Sequence, residues 1–153
     1  MADALVKALV TVGGAGYVPK APGTVGSLAG VAAAMAADPW VSGWPLLVML
    51  AGGMLLTVPV MTQAERIFGR TDPSQVVLDE FWAMWAVFAA CPIASRSPGH
   101  VAAAFVLFRA FDIMKPPPCR WLDRAPGGWG ILLDDLGAAA YVCLILCASI
   151  LLP

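Results

Sequence analysis

The acidic residues of this chain gather where apolar runs begin or end. Asp79-Glu80 opens one run, Asp112 closes another with Arg109 and Lys115 beside it, and Asp134-Asp135 opens the last. A carboxylate at a membrane edge is costly to desolvate unless it binds something, which makes these residues functional candidates. Carboxylates alternating with Lys and Arg read most simply as a site for a divalent metal and a phosphate.

Four stretches carry that chemistry. Lys20-Ala-Pro-Gly-Thr-Val-Gly-Ser27 is a Pro-Gly turn entering a helix. Thr24 is expected to cap that helix, and its free amides together with Lys20 would suit a phosphate, although an ordinary capped helix start looks the same. Its glycine spacing is not that of a Walker A loop. In Val76-Val-Leu-Asp-Glu-Phe81, neighbouring side chains project about 100° apart on a helix. Asp79 and Glu80 are therefore expected to divide their roles, one binding metal while the other orients a ligand or caps the helix; acidic residues in a first turn also simply complement the helix dipole. In Phe108-Arg-Ala-Phe-Asp-Ile-Met-Lys-Pro-Pro-Pro118, Arg109, Asp112 and Lys115 share one helix edge and Pro116 ends the helix. Arg120, Asp123 and Arg124 repeat the arrangement beyond the prolines, with ion pairs on a solvated rim as the bland alternative. Finally, the glycines of Gly127-Gly-Trp-Gly130 let a loop approach a ligand closely just ahead of Asp134-Asp135.

Other chemistries fail on inventory. The single histidine, His100 in Ser95-Arg-Ser-Pro-Gly-His100, faintly echoes a histidine-dependent lipid phosphatase, but those enzymes use two. Position 125 after Cys119 is Ala, so no cysteine-phosphatase loop forms. Cys91, Cys143 and Cys147 read as buried packing residues, and the four cysteines have neither zinc spacing nor a disulfide framework.

The elements that must position these groups are apolar. The chain has 153 residues, 60% hydrophobic and 12% charged, against about 25% charged in a soluble domain. Its net charge of −1 offers no attraction to nucleic acid. Residues 1–7 lack the basic start and long apolar core of a cleaved leader. Apolar runs cover 24–37, 44–62, 80–94, 100–114 and 136–152; a spanning helix needs about 20 residues, which the second and fifth runs meet plainly. The expectation is one domain over residues 1–153: an all-α, polytopic transmembrane bundle of about four to five membrane-embedded helices, some short or partial. Gly26, Ser27, Ala29, Gly30 and Ala33 would let the first run pack closely, and Gly52-Gly53 with Pro59 predict a kink in the second. Residues 3–12 suit an interfacial amphipathic helix. With five spans, Lys7, Lys20, Arg66, Arg70, Arg109, Lys115, Arg120 and Arg124 share one side and only Arg96 lies opposite. That bias puts the first side, and every acidic cluster, in the cytoplasm. Trp40 and Trp44 then mark the outer interface, and Trp82, Trp85, Trp121 and Trp129 the inner one.

Taken together, Pro22-Gly-Thr-Val-Gly-Ser27, Asp79-Glu-Phe81, Phe108-Arg-Ala-Phe-Asp112-Ile-Met-Lys-Pro116, Trp121-Leu-Asp-Arg124 and Gly128-Trp-Gly-Ile-Leu-Leu-Asp134-Asp135 resemble the phosphatidylglycerophosphatase A family over about residues 13–140. Ala83 stands where relatives often carry Gly, a change that removes no ligand. The resemblance implies a magnesium-dependent phosphatase of the bacterial inner membrane that converts phosphatidylglycerophosphate to phosphatidylglycerol. On that expectation Asp79, Glu80, Asp112, Asp134 and Asp135, with Asp123 a further member, hold Mg²⁺, which prefers oxygen ligands. Asp79, Asp134 and Asp135 are the catalytic candidates. Lys20, Thr24, Ser27, Arg109, Lys115, Arg120 and Arg124 contact the lipid phosphate. Attack by a metal-activated water and a covalent route through Asp134 or Asp79 both remain open. A small membrane transporter, with charges near the midplane, and a non-catalytic assembly subunit are the rival classes.

Overall fold

Long runs of Leu, Val, Ala and Met broken by Pro and Gly specify helices, and helices are the only regular elements among the described residues. A computed structural model describes residues 2–37, 43–95 and 97–151, with no strand among them. The helices are α1 (Ala2–Val10), α2 (Pro22–Ala37), α3 (Trp44–Phe68), α4 (Leu78–Ala90), α5 (Pro98–Met114), α6 (Cys119–Leu122) and α7 (Gly128–Leu151), with short 3-10 turns at Ala15–Tyr17 and Pro92–Ser95. Trp40 and Arg96, the expected outer marker and the lone cation of the opposite side, lie outside the described residues.

Two helices, α3 with 25 residues and α7 with at least 22, are long and apolar enough to cross a bilayer; they contain the second and fifth runs. At 1.5 Å per residue the 13 residues of α4 reach about 20 Å, short of a hydrocarbon core about 30 Å thick. α3 does not resemble the core helix of a soluble protein. Only 22% of its most apolar window is buried, and Trp44 and Leu56 are 75% and 74% exposed. Pro59 sits inside α3 without breaking it, and a left-handed Gly69 (φ 70°) closes it, its amide donating to the Glu65 carbonyl.

α7 is the central pillar. Ala138 and Val142 join Met84, Val87, Ala104 and Phe108 in one core, formed with α4 and α5. Ile131 and Leu132 join Val6, Val10, Met61 and Ala64 in a second, formed with α1 and α3. Asp134 and Asp135 fall between the two clusters. α2 lies tightly against α4 because it offers no side chain at the contact. A Cβ on Gly26 would come within 2.6 Å of the Val77 Cβ, and one on Gly30 within 2.5 Å of the Phe81 carbonyl oxygen. Ala83 is fully buried in the first core.

α1 buries Val6 and Val10 while Leu5 and Leu9 stay exposed, the two-faced pattern expected of residues 3–12. The Val10 carbonyl accepts a 2.9 Å hydrogen bond from the Val77 amide, tying α1 to the start of α4.

Candidate active site

The starts of α2 and α4, the end of α5 and the second turn of α7 meet at one end of the bundle around a cavity of about 250 Å³. Six carboxylates line it (Asp72, Asp79, Glu80, Asp112, Asp134 and Asp135) against two cations, Arg109 and Lys115. Oxygens of Asp79, Glu80 and Asp135 lie within 4.8 Å of one another, as do those of Asp112, Asp134 and Asp135, so Asp135 is common to two overlapping triads. Asp79 and Glu80 both reach this cluster, but only Glu80 also pairs with a cation, Arg109; both residues are buried.

The cations are held from several elements. Arg109 Nη1 pairs with Asp112 at 2.7 Å and Glu80 at 3.5 Å, and donates to Ser27 Oγ at 3.4 Å. Ser27 itself donates to the Gly23 carbonyl at 2.8 Å and is fully buried, so it positions Arg109 from behind. Lys115 Nζ lies 2.6 Å from both Asp134 and Asp123. Burial works against its charge, but the hydrogen bonds to those two carboxylates outweigh it and hold its pKa above the usual lysine value. At the mouth, loss of surrounding water raises the Asp72 carboxyl, with Lys115 acting in the opposite direction.

These ion pairs leave buried acceptors over. Asp79 Oδ1, Glu80 Oε2, Asp134 Oδ1 and Asp135 Oδ2 have no hydrogen-bond partner. Removing one partner of a buried charge pair costs about 3–5 kcal/mol, so a cluster of unpaired carboxylate oxygens calls for a cation. An all-oxygen donor set suits a hard divalent ion such as Mg²⁺ rather than zinc or copper.

Three residues on the rim, Ala21 (φ 54°), Asp72 (φ 44°) and Lys115 (φ 43°), adopt left-handed backbone although none is glycine. Each precedes a proline, which restricts the residue before it. Such conformations cost about 1–3 kcal/mol apiece and collect at functional sites. Gly23 is needed for a different reason: a Cβ there would meet Glu80 Oε1 at 2.0 Å and Arg109 Nη1 at 3.0 Å.

Several expected contacts lie elsewhere. Thr24 does not cap α2, which begins at Pro22; Thr24 is already in the first turn, its amide bonded to the Ala21 carbonyl at 3.0 Å. Lys20 and Arg120 are exposed and line no part of the cavity. Asp123 stands outside both triads, paired with Lys115. Arg124 lines a neighbouring polar chamber of about 420 Å³, which shares Asp72 and Lys115 with the carboxylate cavity. Gly128 and Gly130 do not border the carboxylate cavity; they seat α7 against the Val58 carbonyl and the Ala125 carbonyl. Gly128 lies so close that its amide donates to Thr62 Oγ1 at 2.8 Å. Asp134-Asp135 thus sits in the second turn of a helix that starts well before its apolar run.

Asp72 was missed by sequence reasoning. Its only signal is the Asp-Pro pair, and its amide is fixed by Glu65 Oε1 at 3.2 Å. His100 is remote from this chemistry, its Nδ1 2.8 Å from the Ser97 hydroxyl that caps α5. Cys91 is buried, but Cys147 is exposed on α7, with its sulfur 3.3 Å from that of Cys91.

Helices that bring a carboxylate cluster together with Arg109 and Lys115 form the kind of site that enzymes acting on phosphoryl groups use. Sequence comparison sharpens the class. The phosphatidylglycerophosphatase A family model matches residues 8–150, and the chain belongs to that family. It is 41% identical to phosphatidylglycerophosphatase A of Escherichia coli K12 over 134 residues, covering 85% of this chain and 75% of the relative. It is 37% identical to the enzyme of that name from Haemophilus influenzae over 142 residues, covering 92% and 86%. A protein of Bacteroides thetaiotaomicron named a putative phosphatidylinositol-3-phosphatase is 33% identical over 148 residues, covering 89% and 87%. No solved structure matches.

Proposed function

We propose that this chain removes the terminal phosphate of phosphatidylglycerophosphate to leave phosphatidylglycerol, in a bacterial inner membrane, with its active site facing the cytoplasm and Mg²⁺ as cofactor. The observation that carries the reading is the convergence of buried carboxylates, four with an unpartnered oxygen, on one cavity that also holds Arg109 and Lys115. Asp79, Glu80, Asp112, Asp134 and Asp135 would hold the metal, which supplies Lewis-acid charge and water activation when bound. Arg109 and Lys115 neutralise the phosphoryl oxygens as charge redistributes in the transition state. Ser27, Asp112 and Glu80 hold the Arg109 guanidinium in place, and Asp123 and Asp134 hold the Lys115 ammonium, so neither cation must reorganise during the reaction.

The cluster lies at one end of α2, α4 and α5 rather than midway along them, which supports hydrolysis at a membrane surface over transport through its middle. A non-catalytic assembly subunit has no need of paired triads. The test is phosphate release by the purified protein from phosphatidylglycerophosphate and, in parallel, from phosphatidylinositol 3-phosphate, with Mg²⁺ and with EDTA. Metal-dependent release from the first lipid, lost in Asp79→Asn and Asp135→Asn with the fold retained, is expected. Full activity in both variants overturns the site.

A further inference from the structure

A large groove lies outside the active site. It encloses about 960 Å³ between α1, α3 and the first turn of α7. One face of α3 forms its floor, with residues 55, 58, 59, 62, 63, 66 and 67 following helical spacing. Polarity rises along that face from Leu55, Val58 and Pro59 through Thr62 and Gln63 to Arg66, with Ile67 beyond it, and Asp3 of α1 also lines the groove. At 1.5 Å per residue the gradient extends over about 17 Å. Arg66 takes part in no ion pair among the described residues. Trp129, 42% exposed on α7, stands at the groove wall, and a Trp ring, apolar with one donor, suits the level of lipid headgroups.

The groove is also the third in a row of cavities. It shares Pro126 with the polar chamber of Arg124, and that chamber shares Asp72 and Lys115 with the carboxylate site. A phospholipid ending in a phosphomonoester needs three environments in this order: a cation-and-metal site for the monoester, a polar chamber for the polyol, and an amphiphilic surface for the phosphodiester and acyl chains. We propose that the α3 groove seats the diacyl end of the substrate, with Arg66 on its phosphodiester, the chains running toward Leu55, and the polyol in the chamber beside Arg124. This rests on the phosphatase reading above. Two other grooves, one between α2 and α5 and one between α4 and α7, have no cation in their walls and share no residue with the carboxylate site.

The experiment uses the full chain in mixed micelles of phosphatidylglycerophosphate, and compares Arg66→Gln and Trp129→Ala with Val101→Trp, which fills the α2–α5 groove instead. Losing a charge-assisted hydrogen bond is expected to raise KM about tenfold in Arg66→Gln, with kcat little changed. Trp129→Ala should behave in the same way, and Val101→Trp like wild type. Native mass spectrometry with phosphatidylglycerol should show lipid retained by wild type and lost from Arg66→Gln. An unchanged KM in both groove variants overturns the assignment. So does lost lipid retention with normal KM, which would mark a structural lipid. An inactive wild-type chain would instead sink the phosphatase reading itself, and this assignment with it.

Discussion

Gly23→Ala separates the geometry of the site from the stability of the fold. The added Cβ would lie 2.0 Å from Glu80 Oε1, the far end of a flexible side chain, and 3.0 Å from Arg109 Nη1. The Glu80 carboxylate must retreat by roughly 1 Å to reach even a tight contact, and α2 itself need not move. Alanine is no worse a helix former than glycine in this first turn, so the melting temperature should change far less than the rate. Displacing a group by about 1 Å costs on the order of 10²-fold in rate. Initial rates of phosphate release and thermal unfolding followed by circular dichroism would be compared with Gly52→Ala on α3, where a Cβ meets nothing within 4 Å. The expected outcome is about a hundredfold loss of kcat in Gly23→Ala alone. Activity near wild type in Gly23→Ala would show that the Glu80–Arg109 contact is not part of the catalytic geometry.

Gly30→Ala should do the reverse. Its Cβ meets the Phe81 backbone at 2.5 Å, which cannot step aside, so unfolding should be easier by about 1–3 kcal/mol, read from denaturation midpoints. Mg²⁺ should stabilise the wild type by about 2.7 kcal/mol at a hundred times its dissociation constant and so raise its melting temperature; Asp135→Asn should lose most of this shift, as differential scanning fluorimetry would report. Lys115→Met breaks two 2.6 Å pairs. Because the folded pKa of Lys115 is raised, its stabilising contribution is fully present below the unfolded value of about 10.4 and fades only as pH rises through the folded one. The stability gap between Lys115→Met and wild type should therefore not shrink between about pH 7 and pH 9. Labelling of a Thr71→Cys variant in intact cells should occur only after the cytoplasmic face is opened; labelling from outside would reverse the proposed orientation.

The residue inventory and the local pattern were enough to name the helical class, the two span-length helices and, Asp72 apart, the carboxylates that line the cavity. Burial periodicity, proline stops and charge placement act over a few residues, so they can be read along the chain. The end of α5 before Pro116 and the Arg109–Asp112 pair are of this kind. What the linear order could not supply was convergence. Oxygens of Asp79 and Glu80 meet that of Asp135 from a distant helix, and α2 lies close to Glu80 and Arg109 at Gly23 and to the α4 region at Gly26 and Gly30. Asp72 enters the site, and Thr24, Lys20 and Arg120 stay out of its contacts, through helix starts and loop turns that depend on packing between distant segments. The same holds for the groove on α3: its residues are a plain helical stripe in the sequence. Only the approach of α1 and α7 turns that stripe into a cavity aligned with the active site, because enclosure is a property of neighbouring elements and not of the helix that carries the stripe.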